Sequence, residues 1–295
     1  MKIGVVGYGS IGQRHAANAT KLAHEVIVYD PMLQHNDVKY EREIYDQADA
    51  VVIATPSDCH EAGLRACIER GKHVLVEKPI SVSRGQLSTL LDTAMAKDLV
   101  VMMGNNLRFH PCVKEARNWL NATMIGTVLW AQFTCATWSV KPLYLSDGVI
   151  LNTGAHEVDL ALHLLGDAVV ETAIGDAAVA DFTITHESGA RSSFHLDFMT
   201  PHPVRDFRII GTEGAIQCDL VKRRVTRTQW DPELPEVVNT HHYASPTHSF
   251  DDDYIDEMTA FITRAEGGYS LFGADGLDGL ATLDLLLDIR KKAGL

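Results

Sequence analysis

Apolar residues in the first third of the chain come in short unbroken runs, at 3–6, 26–29, 51–54, 73–76 and 100–103. Runs of that length without polar alternation suit strands buried on both faces of a parallel sheet. The stretches between them carry the 3.6-residue period of helices, near 57–70 and 83–97. Gly71 is placed to stop the first of these, and Ser83-x-x-Gln86 reads as a capping box for the second. Pro111 suits the first turn of a further helix running to about Leu120. Strand and helix in alternation predict a doubly wound α/β domain.

Past Gly126 the texture changes. Residues 127–138 read as one long strand, and 154–165 as a helix ended by Gly166. Segments 178–187, 190–199, 204–210, 214–220 and 222–229 then alternate apolar and polar residues. Turns fall at Glu187-Ser188-Gly189 and Gly211-Thr212-Glu213-Gly214. Such alternation predicts an antiparallel meander with one solvated face. The polar, His-rich stretch 231–248 reads as a loop. Helices near 249–265 and 274–292 close the chain, and Asp251, Asp252 and Asp253 complement the positive end of the first.

Composition narrows the function classes. At 295 residues the chain suits two domains better than one core. Its 46% hydrophobic and 22% charged residues are those of a globular protein. No apolar run approaches the roughly 20 residues of a membrane span. The first run leads into a glycine turn, not a leader cleavage site, so a cytoplasmic protein is expected. A net charge of −13 argues against nucleic acid. An anionic ligand would need a local basic patch, for which Arg205 and Arg208, or Lys222, Arg223, Arg224 and Arg227, are candidates; solvated strand charges are the alternative. Five scattered cysteines without a CxxC indicate neither a zinc ribbon nor a disulfide framework, and no metal is expected.

The chemistry concentrates at three places. Gly7-x-Gly9-x-x-Gly12 follows the first apolar run and opens a helix whose apolar side is Ile11, Ala16, Ala17 and Leu22, the context a dinucleotide fingerprint requires. Gly7 permits the turn, Gly9 lets backbone approach a pyrophosphate, and Gly12 lets helix and strand pack; Ser10 and Ile11 lie in the same loop. Asp30, eighteen residues after Gly12, can bond a ribose diol and repel a 2′-phosphate. NAD is therefore the expected cofactor, with NADP the alternative. Lys78 ends the fourth run, where ligands of open α/β sheets sit. His156, Asp159 and His163 share one helical face at i, i+3 and i+7. His156, at the helix start, can act as a base, whereas His163 reads as a core or interface histidine.

Five motifs in order, Gly7-x-Gly9-x-x-Gly12, Ala54-Thr55-Pro56-x-x-x-His60, Glu77-Lys78-Pro79, Gly104-x-Asn106-x-Arg108-x-x-Pro111 and Gly154-x-His156-x-x-Asp159, span nearly the whole chain. Together they resemble the Gfo/Idh/MocA oxidoreductases, NAD(P)-dependent enzymes acting on sugars, cyclitols and nucleotide sugars. The resemblance implies an α/β Rossmann domain over 1–121 and an α+β domain with a large open, mostly antiparallel sheet over 122–273. A C-terminal helix, 274–295, would pack back near the Rossmann domain. It implies that Thr55, Pro56, His60 and Glu77 lie along the cofactor, and that Asn106 and Arg108 sit near nicotinamide and substrate. Lys78 would meet the substrate hydroxyl and the nicotinamide ribose. His156 would be the general acid/base, with Asp159 beside it. Asn152 stands where many relatives place an Asp, which puts a proton relay there in doubt; nucleotide-sugar members share the Asn. The stretch from Trp138 through Lys141 to Tyr144 could add a stacking aromatic and a cation. A homodimer or homotetramer through the open sheet face is implied, with Val128, Trp130, Phe133 and Cys135 on the strand concerned. Two alternatives stand beside a dehydrogenase: a non-catalytic NAD(P)- or sugar-sensing regulator, and an NAD-assisted glycoside hydrolase or lyase.

Overall fold

The five apolar runs become five parallel strands, β1 (Lys2–Val6), β2 (Glu25–Tyr29), β3 (Ala50–Ile53), β4 (His73–Glu77) and β5 (Val101–Gly104). A short antiparallel strand, β14 (Ala274–Asp275), adds to β5, and the sheet order is β14-β5-β4-β3-β1-β2. The structure, a computed structural model, describes residues 1–295 apart from 35, 139–141, 232 and 234–236 and the side chains of 142–146, 237 and 238. Helices α1 (Ser10–Lys21), α2 (Glu41–Gln47), α3 (His60–Glu69) and α4 (Leu87–Ala96) connect the strands. Ile3, Val5, Val52, Leu75 and Met102 form a buried core with Ala16 and Ala19 of α1 and with Met258 and Phe261 of α8 (Phe250–Ala265).

The second sheet has strand order β13-β12-β11-β10-β6-β9-β8-β7. Its members are β6 (Val128–Ala136), β7 (Ala168–Gly175), β8 (Val179–His186), β9 (Arg191–Asp197), β10 (Val204–Gly211), β11 (Gly214–Asp219), β12 (Arg224–Trp230) and β13 (Val237–Ala244). Helices α5 (Pro111–Asn121), α6 (Pro142–Asn152) and α7 (Gly154–Leu165) contact its strands, α5 on β11 to β13 and α7 on β6 and β9. Phe133, Phe182, Phe194 and Phe207 form the centre of this core. Phe194 stacks on Phe182 and Phe133 with ring centroids 4.5 and 5.1 Å apart.

The chain divides into two compact units, Met1–Phe109 with Phe250–Leu283, and His110–Ser249 with Asp284–Leu295. This differs from the boundaries expected at 121 and 273. Helix α5 packs on strands of the second sheet, whereas α8 packs on α1 and therefore falls in the first unit. The final helix, α9 (Gly276–Ala293), is shared, because β14 ties its start to the first sheet.

Several local expectations change. The meander contains one parallel pair, β6 with β9. The stretch 231–248 is not all loop, since β13 pairs with β12 there, and β7 is a half-exposed edge strand that local pattern did not reveal. The capping box does not form. Gly85 adopts a φ of +39° and delays α4 to Leu87, while Ser83 N donates to Ser81 Oγ instead. On α1 the buried face is Gly12, His15, Ala16 and Ala19, leaving Ala17 exposed. On β6, Phe133 and Cys135 point into the core and are not available to a partner; Val128 and Trp130 alternate with them and are half-buried. The stretch from Trp138 to Tyr144 lies largely outside the described residues. No helix of the described residues is long and apolar enough to cross a membrane.

One cross-strand cluster makes fold stability depend on pH. His195 Nδ1 lies 2.9 Å from Asp181 and Nε2 3.1 Å from Asp197, so both bonds form when the ring carries both protons. The Asp181 bond, helped by Asp197 and opposed by partial burial, raises the imidazole above its ordinary value. Burial pushes the Asp197 carboxyl up, but donors from Met199, Thr200 and His195 bring it below its ordinary value. His195 therefore stabilises the fold below its unfolded-state pKa, and that contribution disappears as pH rises through the raised folded value. The Asp197 contribution is present above the ordinary carboxylate range and disappears as pH falls through its lowered value. The melting temperature of His195→Gln should trail wild type most in mildly acidic buffer and converge with it at alkaline pH.

Candidate functional site

In the first unit, the residues singled out in the sequence gather at the carboxyl ends of β1, β3, β4 and β5, where open α/β sheets bind ligands. Gly7 has a φ of +88°, and a Cβ there would meet the Ala54 carbonyl oxygen at 2.5 Å. A Cβ on Gly12 would lie 2.0 Å from the Gly7 oxygen. A Cβ on Gly9 would meet nothing within 4 Å. Two glycines are thus demanded by packing, and the third borders open space. Helix α1 starts there with no side-chain cap and no acid in its first turn, so its N–H groups and positive dipole end face that space. Asp30 closes the other side. Its Oδ2 accepts from Tyr8 N at 2.7 Å and its Oδ1 from Met32 N at 2.8 Å, which orients the carboxylate beside the glycine loop.

Further along the sheet, buried polar atoms await a partner. Thr55 Oγ1, beyond the end of β3, and Asn106 Nδ2, beyond the end of β5, make no hydrogen bond among the described residues. Buried polar groups are rarely left so. With the open space at Gly9 and the uncapped α1, these atoms fit a dinucleotide laid across the strand ends.

Lys78 is half-buried just past β4, and its backbone N–H donates to Glu77 Oε2 at 3.2 Å. Glu77 Oε1 lies 2.7 Å from Nε2 of the fully buried His15. Burial pushes the Glu77 carboxyl up, but the His15 bond and the charges of His15, Lys78 and His60 outweigh it and hold it below the usual carboxylate range. Glu257 of α8 is also buried; ligand-type atoms of His15, Glu77 and Glu257 all lie within 4.8 Å of one another. Neither His15 nor Glu257 stood out in the sequence. His15 was legible as the residue three after Gly12 on the buried face of α1.

Two residues expected at the ligand are committed inside the protein. His60 has Nδ1 2.7 Å from the Pro79 carbonyl oxygen and Nε2 2.9 Å from that of Thr55. It offers a ligand the position of Thr55 and Pro79, not a bond of its own. Arg108 is buried, and its Nη1 donates to Asp278 at 2.9 Å and to the Gly273 carbonyl at 3.3 Å, fastening the turn after β5 to the start of α9. Asp251 pairs with Arg14 at 3.0 Å, so this acid serves α1 as well as the helix it opens.

The second unit carries the other constellation. Asn152 ends α6, and His156 lies in the first turn of α7, half-buried, with its N–H on the Thr153 carbonyl. Asp159 is fully buried one turn on. Between them in sequence, Glu157 is buried and takes a two-pronged bond from Arg205 of β10, at 2.7 and 2.9 Å. Arg205 is thus not part of an anion patch. Arg227 lies 5.4 Å over the Trp119 ring and donates to Met124 Sδ, and Lys222 pairs with Asp219, so these two members of the second candidate patch are engaged within the protein. Burial and the Arg223 charge push the His110 imidazole down to about 3. It stays neutral, accepting from Cys112 N and donating to the Leu220 carbonyl.

Comparison with known proteins agrees with this division. Residues 1–105 match the model of the oxidoreductase family with an NAD-binding Rossmann fold, and residues 113–217 match the GFO/IDH/MocA C-terminal domain. Myo-inositol 2-dehydrogenase of Thermotoga maritima is 24% identical over 94% of this chain and 92% of its own length. The structure of UDP-N-acetylglucosamine 3-dehydrogenase from Acidithiobacillus ferrooxidans superposes with a TM-score of 0.85 at 22% identity, covering 99% of this chain and 97% of that one. Levoglucosan dehydrogenase in complex with NADH and levoglucosan gives a TM-score of 0.88 at 19% identity over 100% of this chain and 97% of that one.

The three glycines should respond differently to the same methyl group. Gly9→Ala should melt like wild type yet bind NADH about tenfold more weakly, a loss of ~1.4 kcal/mol. Gly7→Ala and Gly12→Ala should lose both stability and binding. Thermal melts and NADH fluorescence titrations separate the cases.

Proposed function

This chain belongs to the GFO/IDH/MocA family of oxidoreductases, and from that premise we propose that it exchanges hydride between NAD and a secondary hydroxyl or ketone of a sugar, cyclitol or nucleotide sugar. The observation that supports this most is the dinucleotide cradle with Lys78 at the end of the neighbouring strand β4. Substrates named for several relatives, inositol, levoglucosan and UDP-N-acetylglucosamine, carry vicinal ring hydroxyls, which supports this class. Asn152, which the nucleotide-sugar members share, favours that end of it.

Bound across the strand ends, NAD supplies the two-electron chemistry that side chains lack. In this reading His156 takes the hydroxyl proton as the carbon is oxidised and returns it in the reverse direction. Lys78 places its ammonium on the same oxygen and stabilises the negative charge that develops there. Asp159, buried one turn after His156, orients the imidazole. Thr55 Oγ1 and Asn106 Nδ2 would bond the cofactor, and Gly9, Ser10, Ile11 and Gly12 would carry its phosphates on backbone N–H groups, while Gly7, whose own N–H goes to the Tyr29 carbonyl, shapes the turn. Asp30 selects NAD over NADP by charge. The open face of the second sheet, including Trp130, is our proposed contact between copies in a homodimer or homotetramer.

The test is nicotinamide absorbance with NAD⁺ and NADP⁺ against myo-inositol, levoglucosan, UDP-N-acetylglucosamine and related sugars. Reduction of NAD⁺ by one of these, lowered about 10²- to 10⁴-fold in His156→Ala and in Lys78→Ala, is expected. Tight NADH binding without reduction by any of them would return the sensing or NAD-assisted cleavage readings. Asp30→Gly should shift the ratio of NAD⁺ to NADP⁺ affinity toward NADP⁺ by removing the repelling charge.

A further inference from the structure

We propose that His15 and His60 are positioning residues that lock Lys78 from both sides, His15 through the residue before it and His60 through the residue after it. The proposal rests on the reading that Lys78 acts on the substrate oxygen. The two histidines come from different helices and are 0% and 1% exposed. His15 of α1 bonds Glu77 Oε1 at 2.7 Å, and the other oxygen of that carboxylate accepts the Lys78 backbone N–H at 3.2 Å. His60 bonds the Pro79 carbonyl oxygen at 2.7 Å and reaches 2.9 Å to the Thr55 carbonyl, so it ties the segment after β4 to the segment after β3. Lys78 therefore leaves the sheet between two fixed points, with its own backbone N–H part of one of them.

The physical need is plain. A segment beyond a strand end has lost its ladder bonds, and a lysine there has four side-chain torsions besides. An ammonium that wanders cannot stabilise charge at one oxygen. A misplacement of about 1 Å at a reacting group can cost about 10²-fold in rate. Side chains that are themselves locked by packing supply the missing rigidity. His15 meets that condition, with the Tyr254 ring standing edge-on to its own at 6.0 Å between centroids and Glu257 close by, a ligand-type atom of each lying within 4.8 Å of the other. A bond between imidazole and a buried carboxylate is also of the stronger, charge-assisted kind. The groups facing Glu77 are His15 from α1, Lys78 just past the end of β4, His60 from α3 and Glu257 from α8. The side-chain hydrogen bond from His15 is the largest of the influences that hold Glu77 ionised against burial.

The test compares His15→Leu, His15→Gln, His60→Leu and Lys78→Ala with wild type. Readouts are melting temperature, NADH affinity by fluorescence, and turnover across the neutral pH range with whichever of myo-inositol, levoglucosan or UDP-N-acetylglucosamine reduces NAD⁺. His15→Leu and His60→Leu should bind NADH within about threefold of wild type while kcat falls about 10- to 100-fold with little change in KM. His15→Gln keeps a donor and should recover most of the rate. The acid limb of the His15→Leu profile should move to higher pH, because Glu77 loses the partner that keeps it charged. Without any turnover, the carbon-13 carboxyl signal of Glu77, assigned by its loss in Glu77→Gln, should titrate higher in cofactor-free His15→Leu than in wild type. An unmoved Glu77 midpoint, or unchanged kcat in both leucine variants while Lys78→Ala is inactive, overturns the positioning role and leaves the role of Lys78 standing. Full turnover in Lys78→Ala overturns the reading underneath instead. If the leucine variants do not fold, His15→Ser and His60→Ser, whose short side chains cannot reach Glu77 or Pro79, make the same comparison, and a loss of rate that merely tracks melting temperature, with no pH shift, overturns the proposal.

Discussion

Helix α1 must lie against the ends of β1 and β3 closely enough that Gly12 has no room for a side chain, its Cβ position falling 2.0 Å from the Gly7 oxygen. Most of what the first unit offers a ligand depends on that approach. It brings the uncapped helix start to the strand ends, where N–H groups with no intrahelical partner can meet an anion. It also carries His15, one helical turn past Gly12, into the interior beneath the end of β4. A methyl group at Gly12 would push α1 outward and loosen the Glu77 contact with the same movement. The phosphate cradle and the support for Lys78 are consequently two results of one packing distance.

Ionic groups in both units fasten the segments that carry chemistry. His15 holds Glu77, Arg108 joins the turn after β5 to Asp278, and Arg205 grips Glu157 beside His156. Sheet ladders and helical bonds stop at these points, so the backbone there has the fewest constraints of its own. Side-chain bonds replace them. Where both partners are largely buried, as with His15 and Glu77, such a pair adds little net stability compared with apolar packing, but losing one partner leaves an uncompensated buried group and costs about 3–5 kcal/mol. The arrangement therefore fixes geometry more than it adds stability, which suits segments whose task is to hold a few atoms in place.

Much of the architecture was legible from local pattern. The five apolar runs mark the parallel strands, because strands buried on both faces have no polar side to display. The limits of α7, 154–165, follow from its apolar period and from Gly166, whose φ of +84° a residue with a side chain rarely adopts. The capping box at Ser83 was a false local signal, since a left-handed Gly85 inside it changes the chain direction before the helix begins. The strands β7 and β13, and the parallel pairing of β6 with β9, were not legible at all. A strand at a sheet edge needs little apolar content, and the partner of β6 is set by segments far along the chain.

The candidate site divides in the same way. The sequence by itself determined the glycine loop, Asp30, the Glu77-Lys78-Pro79 strand end and the helix start at His156, because each is a residue type at a spacing that only local backbone geometry has to satisfy. Tertiary structure alone decided what the polar residues around them do. It turned His60 and Arg108 inward onto carbonyls and a carboxylate, gave Arg205 to Glu157, and set His15 against Glu77 across 62 positions of chain. Spacing along a chain constrains neighbours within a few residues. Which buried donor meets which buried acceptor is settled only when helices close on sheets and every group removed from water has to find its partner inside.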